Sequence, residues 1–240
     1  MGSTRLPGKV LLPFFEQYSI LEIILRKIKK EFPQTPLIVA TTTSPFDTPI
    51  VKLCNNLSID FFRGSETNVL DRFIQTAEKF KIKRIIRICA DNPFLDIIYL
   101  KKLLEEQKDE DYLSFHFPDG TPVIKSHIGI FAEATQLRSL KKVARLTDEA
   151  FYFEHVTNFI YANPNYFSLK WLDLPAYLKE RKDLRFTVDT KEDFQTQQKL
   201  FSLFSNKNLD SFRFRMVVDY VLSHPNILKR MSQQIKFNSK

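Results

Sequence analysis

Helical and extended hydrophobic periods alternate along this chain, and that alternation limits the fold more than any other feature. From Ser19, residues Ile20, Leu21, Ile24, Leu25, Ile28 and Phe32 recur at the spacing of one helix face, and the following PLIVATT is a run suited to a buried strand. Asp47 as a cap and Pro49 in the first turn predict a second helix through Ile50, Leu53, Cys54 and Leu57, ahead of the short strand IDFF. A third helix carries Val69, Leu70, Phe73, Ile74, Ala77 and Phe80; the strand RIIRICA and a helix with Ile97, Ile98, Leu100 and Leu104 follow. Near-continuous apolar strands separated by amphipathic helices predict an α/β fold, with a mixed, mostly parallel sheet and helices on both faces.

After about residue 110 the rhythm loosens. DYLSF and TPVIKSHIGIF are expected as strands, TDEAFYFEHVTNFIY as one helix, and LRFTVDT as a late strand ending at Thr190. Thr190 and Asp193 have the spacing of a capping box for the helix of Phe194, Leu200, Phe201 and Phe204, and SFRFRMVVDYVLSHPNIL reads as one or two terminal helices. No repeat, low-complexity tract or linker interrupts the 240 residues. One domain is expected, with a core over residues 1–205 and a helical extension over 206–240.

Hydrophobic residues make up 43% of the chain and 23 residues are Phe, enough to build a core and exclude disorder. The apolar stretches, SILEIIL and VVDYVL among them, fall far short of the roughly 20 residues of a membrane span. No charged-apolar-small leader precedes the first loop, so a cytoplasmic protein without membrane insertion is expected. Cys54 and Cys89 are expected as free thiols in a helix and a strand. The net charge of +8 does not imply nucleic acid, because the lysines of LRKIKKEF, KFKIKR and LKERKDL are spread as solvated helix faces without stacking aromatics between them. A small polyanionic substrate accounts for the excess equally well.

In open α/β sheets ligands bind beyond the carboxyl ends of the strands, where helix N-termini and loops present backbone N–H groups. The polar stretches collect there: Thr41 to Thr43 after the first visible strand, Arg63-Gly64-Ser65 after the second, Ala90 to Pro93 after the third and Val188 to Thr190 after the late one. Arg63, Gly64 and Ser65 combine a fork of donors, a residue without a side chain and a hydroxyl, which suits close approach of a ligand's backbone, base or phosphate; an ordinary strand-to-helix turn with a Ser cap fits them too. Asp91 and Asp189 each follow an apolar strand in a loop that opens a helix. Either alone is a cap, whereas a neighbouring pair would hold a hard divalent ion by carboxylate oxygens. His116, His127, His155 and His224 show no zinc-ligand spacing.

The opening GSTRLPGK offers Gly2, Gly8, Arg5 and Lys9, the glycines and cations of a phosphate-cradling loop. It is not a Walker A motif, since five residues separate the glycines and Val10 stands where a Ser or Thr is needed.

MGSTRLPGKVL, IVATTTSPFDTPIV, FFRGSETNVLDRF, IIRICADNPFLD, FEHVTNFIY and LRFTVDTKEDF together resemble, in order, the motifs of the spore coat polysaccharide biosynthesis protein F family. These are cytidylyltransferases related to acylneuraminate and 3-deoxy-manno-octulosonate cytidylyltransferases, and the resemblance spans about residues 1–200. It implies a Rossmann-like nucleotide-diphospho-sugar transferase fold and transfer of CMP from CTP to a sugar, an acidic one by analogy, with release of pyrophosphate for surface polysaccharide. On this chain it implies that Arg5 and Lys9 hold the triphosphate, that Gly2 and Ser3 lend backbone contacts, and that Arg63, Gly64, Ser65 and Arg87 line the nucleotide. Asp91 and Asp189 would bind Mg2+, and Glu154 and His155 would face the sugar. The kin families dimerise, which points to residues 115–165 for an interface.

Two departures stand out. Relatives carry an apolar strand ending in an Ala-Arg pair ahead of the MGSTRLPGK stretch, so the innermost strand is expected to be missing here, with Met1 a mis-assigned start or a truncation. At PDGTPVIKSHIGIF the Gly-x-Asp/Glu of the nearest kin is absent, and HIGIF is instead similar to the octulosonate enzymes. A nucleotidyltransferase acting on a sugar phosphate or polyol phosphate, and a non-catalytic homologue with an incomplete pocket, remain open readings.

Overall fold

The structure is a computed structural model and describes residues 5–206, 209 and 212–238. In chain order it contains β1 (Pro13–Phe15), β2 (Tyr18–Ser19), α1 (Ile20–Glu31), β3 (Ile38–Thr42), α2 (Thr48–Leu57), β4 (Asp60–Gly64), α3 (Val69–Lys79), β5 (Arg84–Arg87), α4 (Ile97–Glu106), β6 (Tyr112–His116), β7 (Glu133–Gln136), α5 (Leu137–Leu146), α6 (Ala150–Glu154), α7 (Asn158–Ala162), β8 (Leu169–Asp173), α8 (Lys191–Phe204), α9 (Phe214–Leu222) and α10 (Pro225–Asn238). Local chemistry sets several boundaries. Ser19 Oγ accepts from Glu22 N to start α1, Asn68 Oδ1 accepts from Asp71 N to start α3, and the Thr190–Asp193 capping box opens α8 as the spacing predicts.

The sheet is mixed. β3 pairs in parallel with β4, and a four-stranded set runs β5-β7-β6-β8, in which β6 and β8 are parallel while β7 lies antiparallel to both its neighbours. Apolar layers cover both faces of this set. One joins α1, α4, α8 and α9, and the other joins α3, α5 and α7. Phe214, Val217, Val218, Val221 and Met231 belong to the first layer, so the terminal helices share its core. Among the described residues no helix is long and apolar enough to cross a membrane.

Four expectations change. TPVIKSHIGIF is not a strand: Pro122 leads into a 3-10 turn at Val123–Lys125, and Gly129 has φ +63°. A Cβ at Gly129 would meet Thr187 N at 3.0 Å, so the chain bends tightly there; Pro122 makes one isolated bridge to His116, and a ladder forms only from Glu133 onward. LRFTVDT forms no ladder; it runs alongside irregular loops and is held by single bonds, Phe186 N to His127 O (2.7 Å) and Val188 N to Asp91 O (3.2 Å). The expected single helix over TDEAFYFEHVTNFIY is split into α6 and α7, because Val156 and Thr157 turn inward and are buried. Asp47 precedes α2 without capping it by its side chain; its carboxylate accepts from Thr41 Oγ1, Thr42 N and Thr42 Oγ1 instead. Cys54 and Cys89 are free thiols, Cys89 lying just past the end of β5.

Among the described residues β3 and β5 share no hydrogen-bonded register, and a cleft of about 620 Å³ lies between them. Its walls are Val39 and Ala40 of β3 and Ile86 with Ile88 on the β5 side; Ile24 of α1 and Leu100 of α4 close it on one face and Ala77 of α3 on the other. Helices from both apolar layers thus bound a gap between the described strands β3 and β5, the place where the resemblance implies a further strand. An extended apolar segment of about six residues fused ahead of Met1 is predicted to raise the thermal midpoint by roughly 5–10 °C, as buried area and ladder bonds are recovered. Differential scanning calorimetry of the extended and unextended chains checks this.

Candidate active site

Three parts of the chain converge beyond β5. Lys9 comes from the opening loop, which Gly8 turns with φ +70° and which Leu21 N to Val10 O (3.0 Å) ties to the start of α1. Asp91 follows β5, and Asp189 ends the extended segment after Phe186. The Lys9 ammonium donates to Asp91 Oδ2 at 2.6 Å, to the Val188 carbonyl at 2.5 Å and to Asp189 Oδ1 at 3.3 Å. Arg5 Nη2 lies 3.3 Å from Asp189 Oδ1. Lys9 is itself buried, yet the Asp91 and Asp189 side chains keep 28% and 23% of their surface exposed, which leaves oxygen lone pairs open to a ligand.

Aromatic packing fixes the spacing of the two aspartate segments. Phe94, three residues past Asp91, packs edge-on against Phe186, three residues before Asp189, with ring centroids 5.4 Å apart, and Phe214 of α9 contacts both at 5.9 and 4.8 Å. Because the rings are buried, neither loop moves without opening this cluster.

Arg185 anchors the same edge from below and was not singled out from sequence. It is 1% exposed and spends its fork on Asp193, with Nε to Oδ1 and Nη2 to Oδ2 both at 2.7 Å. Its Nη2 also donates to Asp189 Oδ2 at 2.9 Å, while Nη1 donates to His127 Nδ1 at 2.6 Å. A guanidinium only donates, so Nδ1 accepts and the ring keeps its proton on Nε2. Burial first, then the Arg185 charge, pushes the His127 pKa down, which holds the ring neutral. Burial alone would raise the Asp189 carboxyl, but the charges of Lys9, Arg185 and Arg5 outweigh it and hold its pKa below the ordinary value. An arginine inside the apolar run LRFTV was the available signal for this role.

Arg87 is held by a second buried carboxylate. Its Nη1 donates to Glu133 Oε2 at 2.6 Å, and Glu133 Oε1 accepts from Tyr112 OH at 2.6 Å and Thr157 Oγ1 at 2.8 Å. Burial and then the Glu133 charge push the Tyr112 phenol well above its ordinary range, so it stays a donor. The adjoining Cys89 lies among the charges of Arg87, Asp91, Glu133 and Lys9; burial dominates and raises its pKa. The Arg87 pair therefore borders the Lys9 cluster.

The other expected residues are arranged differently. Arg63 donates from Nε to Thr42 O at 2.8 Å and from Nη2 to Ser44 O at 2.6 Å, so it braces the loop after β3. At Gly64 a Cβ would meet the Phe62 ring at 2.8 Å, and Ser65 Oγ accepts from Asn68 N, which is the turn-and-cap arrangement. Glu154 is exposed at the end of α6, and the His155 ring packs on Phe151 with centroids 4.6 Å apart. Thr157, two residues on, ties that segment to Glu133. Gly2 and Ser3 lie outside the described residues.

One lysine nitrogen within 3.3 Å of both Asp91 and Asp189 shows that the two carboxylates face one cationic point. Hard oxygen donors in that arrangement fit a divalent ion such as Mg2+, with phosphate and water completing its shell. Among the described residues no group of three or more His, Cys, Asp or Glu side chains that could hold a metal ion gathers.

The family described as Cytidylyltransferase matches residues 1–232. The chain belongs to the SpsF-like cytidylyltransferase family. It is therefore a CTP-dependent nucleotidyltransferase that transfers CMP from CTP. It is 32% identical over 208 residues to the spore coat polysaccharide biosynthesis protein SpsF of Bacillus subtilis, covering 84% of this chain and 82% of that protein. It is 36% identical over 238 residues to an uncharacterized protein of Methanocaldococcus jannaschii, covering 99% of this chain and 93% of that one. A solved cytidylyltransferase from Leptospira borgpetersenii superposes with a TM-score of 0.78 at 27% identity, over 95% of this chain and 92% of that one. The CMP:2-keto-3-deoxy-manno-octonic acid synthetase complexed with CTP shares the fold at a TM-score of 0.57 and 13% identity, over 84% and 95%. These structures share the α/β architecture that the alternating pattern implies and the nucleotidyltransferase form of it that the resemblance implies.

Asp193 offers a test of the scaffold beneath the site. Burial raises its carboxyl, but hydrogen bonds and charge from Arg185 outweigh burial and place the folded pKa below the ordinary 3.8. A depressed carboxylate stabilises the fold fully above its unfolded pKa and loses that contribution as pH falls through the folded value. Asp193→Asn is expected to cost about 3 kcal/mol at neutral pH by removing the buried carboxylate charge that takes two of the Arg185 bonds. In urea melts the gap to wild type should narrow as pH falls below the ordinary 3.8 and close only beneath the lowered folded pKa of Asp193; a constant gap would exclude the pair as its cause.

Proposed function

We propose that the CMP acceptor is an acidic sugar, that the product is a CMP-sugar for surface polysaccharide, and that Arg5, Lys9, Asp91 and Asp189 carry the transfer. The observation that carries this reading is the meeting of Lys9, Asp91 and Asp189 at one point, 82 and 180 residues apart in sequence, beyond a strand end. The likeness to a protein named for spore coat polysaccharide biosynthesis supports the destination. The excess of positive charge suits substrates that are themselves anionic.

In the proposed reaction a sugar hydroxyl oxygen attacks the α-phosphorus of CTP in line. The new P–O bond forms as the bond to the bridging α–β oxygen breaks, the hydroxyl proton is lost, and pyrophosphate leaves. Such chemistry demands positioning and neutralisation of charge more than covalent participation. Arg5 and Lys9 bind the triphosphate oxygens, with Gly2 and Ser3 contributing backbone N–H groups. Arg87, clamped by Glu133, is a fixed cation on the same edge. Arg63 holds the loop after β3 in shape beside the nucleotide, where Gly64 and Ser65 turn the chain. Glu154 and His155 face the acceptor from the α6–α7 segment, which Thr157 ties to Glu133. A Mg2+ ion held by Asp91 and Asp189 would supply electrostatic stabilisation of the phosphate charge that grows in the transition state.

Exposed apolar residues Leu146 and Phe151 support a homodimer contact within residues 115–165. Pyrophosphate release should require CTP among the four common nucleoside triphosphates, and an acidic sugar among acceptors. Asp91→Asn is expected to lower turnover by roughly 10³-fold with the far-UV spectrum unchanged. A variant that keeps wild-type turnover would remove Asp91 from the chemistry.

A further inference from the structure

The two aspartates already have a cation. All three N–H donors of the Lys9 ammonium are used, on Asp91 Oδ2, the Val188 carbonyl and Asp189 Oδ1. Arg5 Nη2 lies at the same Asp189 oxygen, and Arg185 Nη2 donates to the other one. A divalent ion coming to these carboxylates would meet an ammonium within hydrogen-bond distance of both, and like charges at that separation repel strongly in a site that is largely shielded from water. The ion and Lys9 cannot share the place.

The side chain and its loop differ in how firmly they are held. The backbone around Lys9 is fixed by Leu11 N to Gly8 O (2.8 Å) and Leu21 N to Val10 O (3.0 Å). The ammonium sits at the tip of a flexible four-carbon stem and makes single, non-forked bonds, so it swings without disturbing the loop. Leaving two carboxylates and a buried carbonyl is favourable only if another anion receives it. A triphosphate arriving with the ion is such an anion.

We infer that Lys9 occupies the divalent-ion position in the free protein, and that the ion enters only together with a nucleoside triphosphate, onto which the displaced ammonium moves. This rests on the reading of the site as a metal-assisted CTP site. By linkage, the ion and the nucleotide must strengthen each other's binding by the same factor. Arg5 and Arg185, each touching only one of the two aspartates in the contacts above, do not fill the position.

Mn2+ titrated into the full chain, with its bound fraction read from the paramagnetic resonance signal, tests this without turnover. For wild type, the Mn2+ affinity should rise at least about tenfold when a non-hydrolysable CTP analogue is present. K9M should bind bare Mn2+ about tenfold tighter than wild type and lose most of the coupling, with K9Q as a second variant if K9M does not fold. R5M, which removes a cation but leaves Lys9 in place, should gain clearly less. Equal Mn2+ affinity with and without the analogue in wild type overturns the inference, as does a K9M affinity no tighter than wild type or a gain in R5M equal to that in K9M, while the CTP site itself would stand. Failure of wild type to bind the analogue in any combination would instead overturn the CTP reading, and the inference with it.

Discussion

A single buried ammonium group organises this molecule. Removing Lys9 from water is tolerable only because each of its N–H bonds has an acceptor, and the same contacts compensate Asp91 and Asp189. The three groups come from the opening loop, the turn after β5 and the segment before α8, so the fold must bring distant parts to one edge before any of them is satisfied. The Phe94–Phe186–Phe214 cluster does the mechanical part, setting the aspartate loops at a fixed spacing beneath the lysine.

Around that centre, buried charge is paired at every level described. Arg185 has two carboxylates and an imidazole as partners, and Glu133 has a guanidinium and two hydroxyls. Buried ion pairs of this kind add little net stability, but losing one partner leaves an expensive charge behind. Their effect is geometric. Arg185 holds one oxygen of Asp189 and leaves the other for the site, and Glu133 holds Arg87 at the edge of the same cluster while binding Thr157 of the α6–α7 segment. The proposed nucleotide and acceptor sides are joined by that one carboxylate.

Much of this was legible in the residues. The alternation of helix and strand periods through residue 106 and the Thr190–Asp193 capping box follow from local spacing, and the structure places them accordingly. What was hidden depends on partners far away in sequence. β7 reads EATQ, with no apolar alternation, yet all four residues are buried because β5 and β6 flank it and helices cover both faces. Arg63 looked like a ligand donor, but two loop carbonyls claim its fork. The helix expected over residues 147–161 is continuous by periodicity, and breaks because Thr157 turns in to a carboxylate that periodicity cannot see. The extended stretch after Leu184 was expected to pair as a strand; its neighbours are loops, so it binds by isolated bonds.

The sequence distances at the site also bear on how the protein assembles. β3 and β4 are joined through one short helix and close a small loop, whereas Lys9 reaches Val188 and Asp189 only across 179 and 180 residues. Closing so long a loop costs chain entropy before any contact repays it, and contacts of that kind slow the search for the native state. The local β–α units therefore condense ahead of the edge where Lys9 meets the two aspartates, and the nascent chain must emerge nearly to α8 before Lys9 finds the last of these partners.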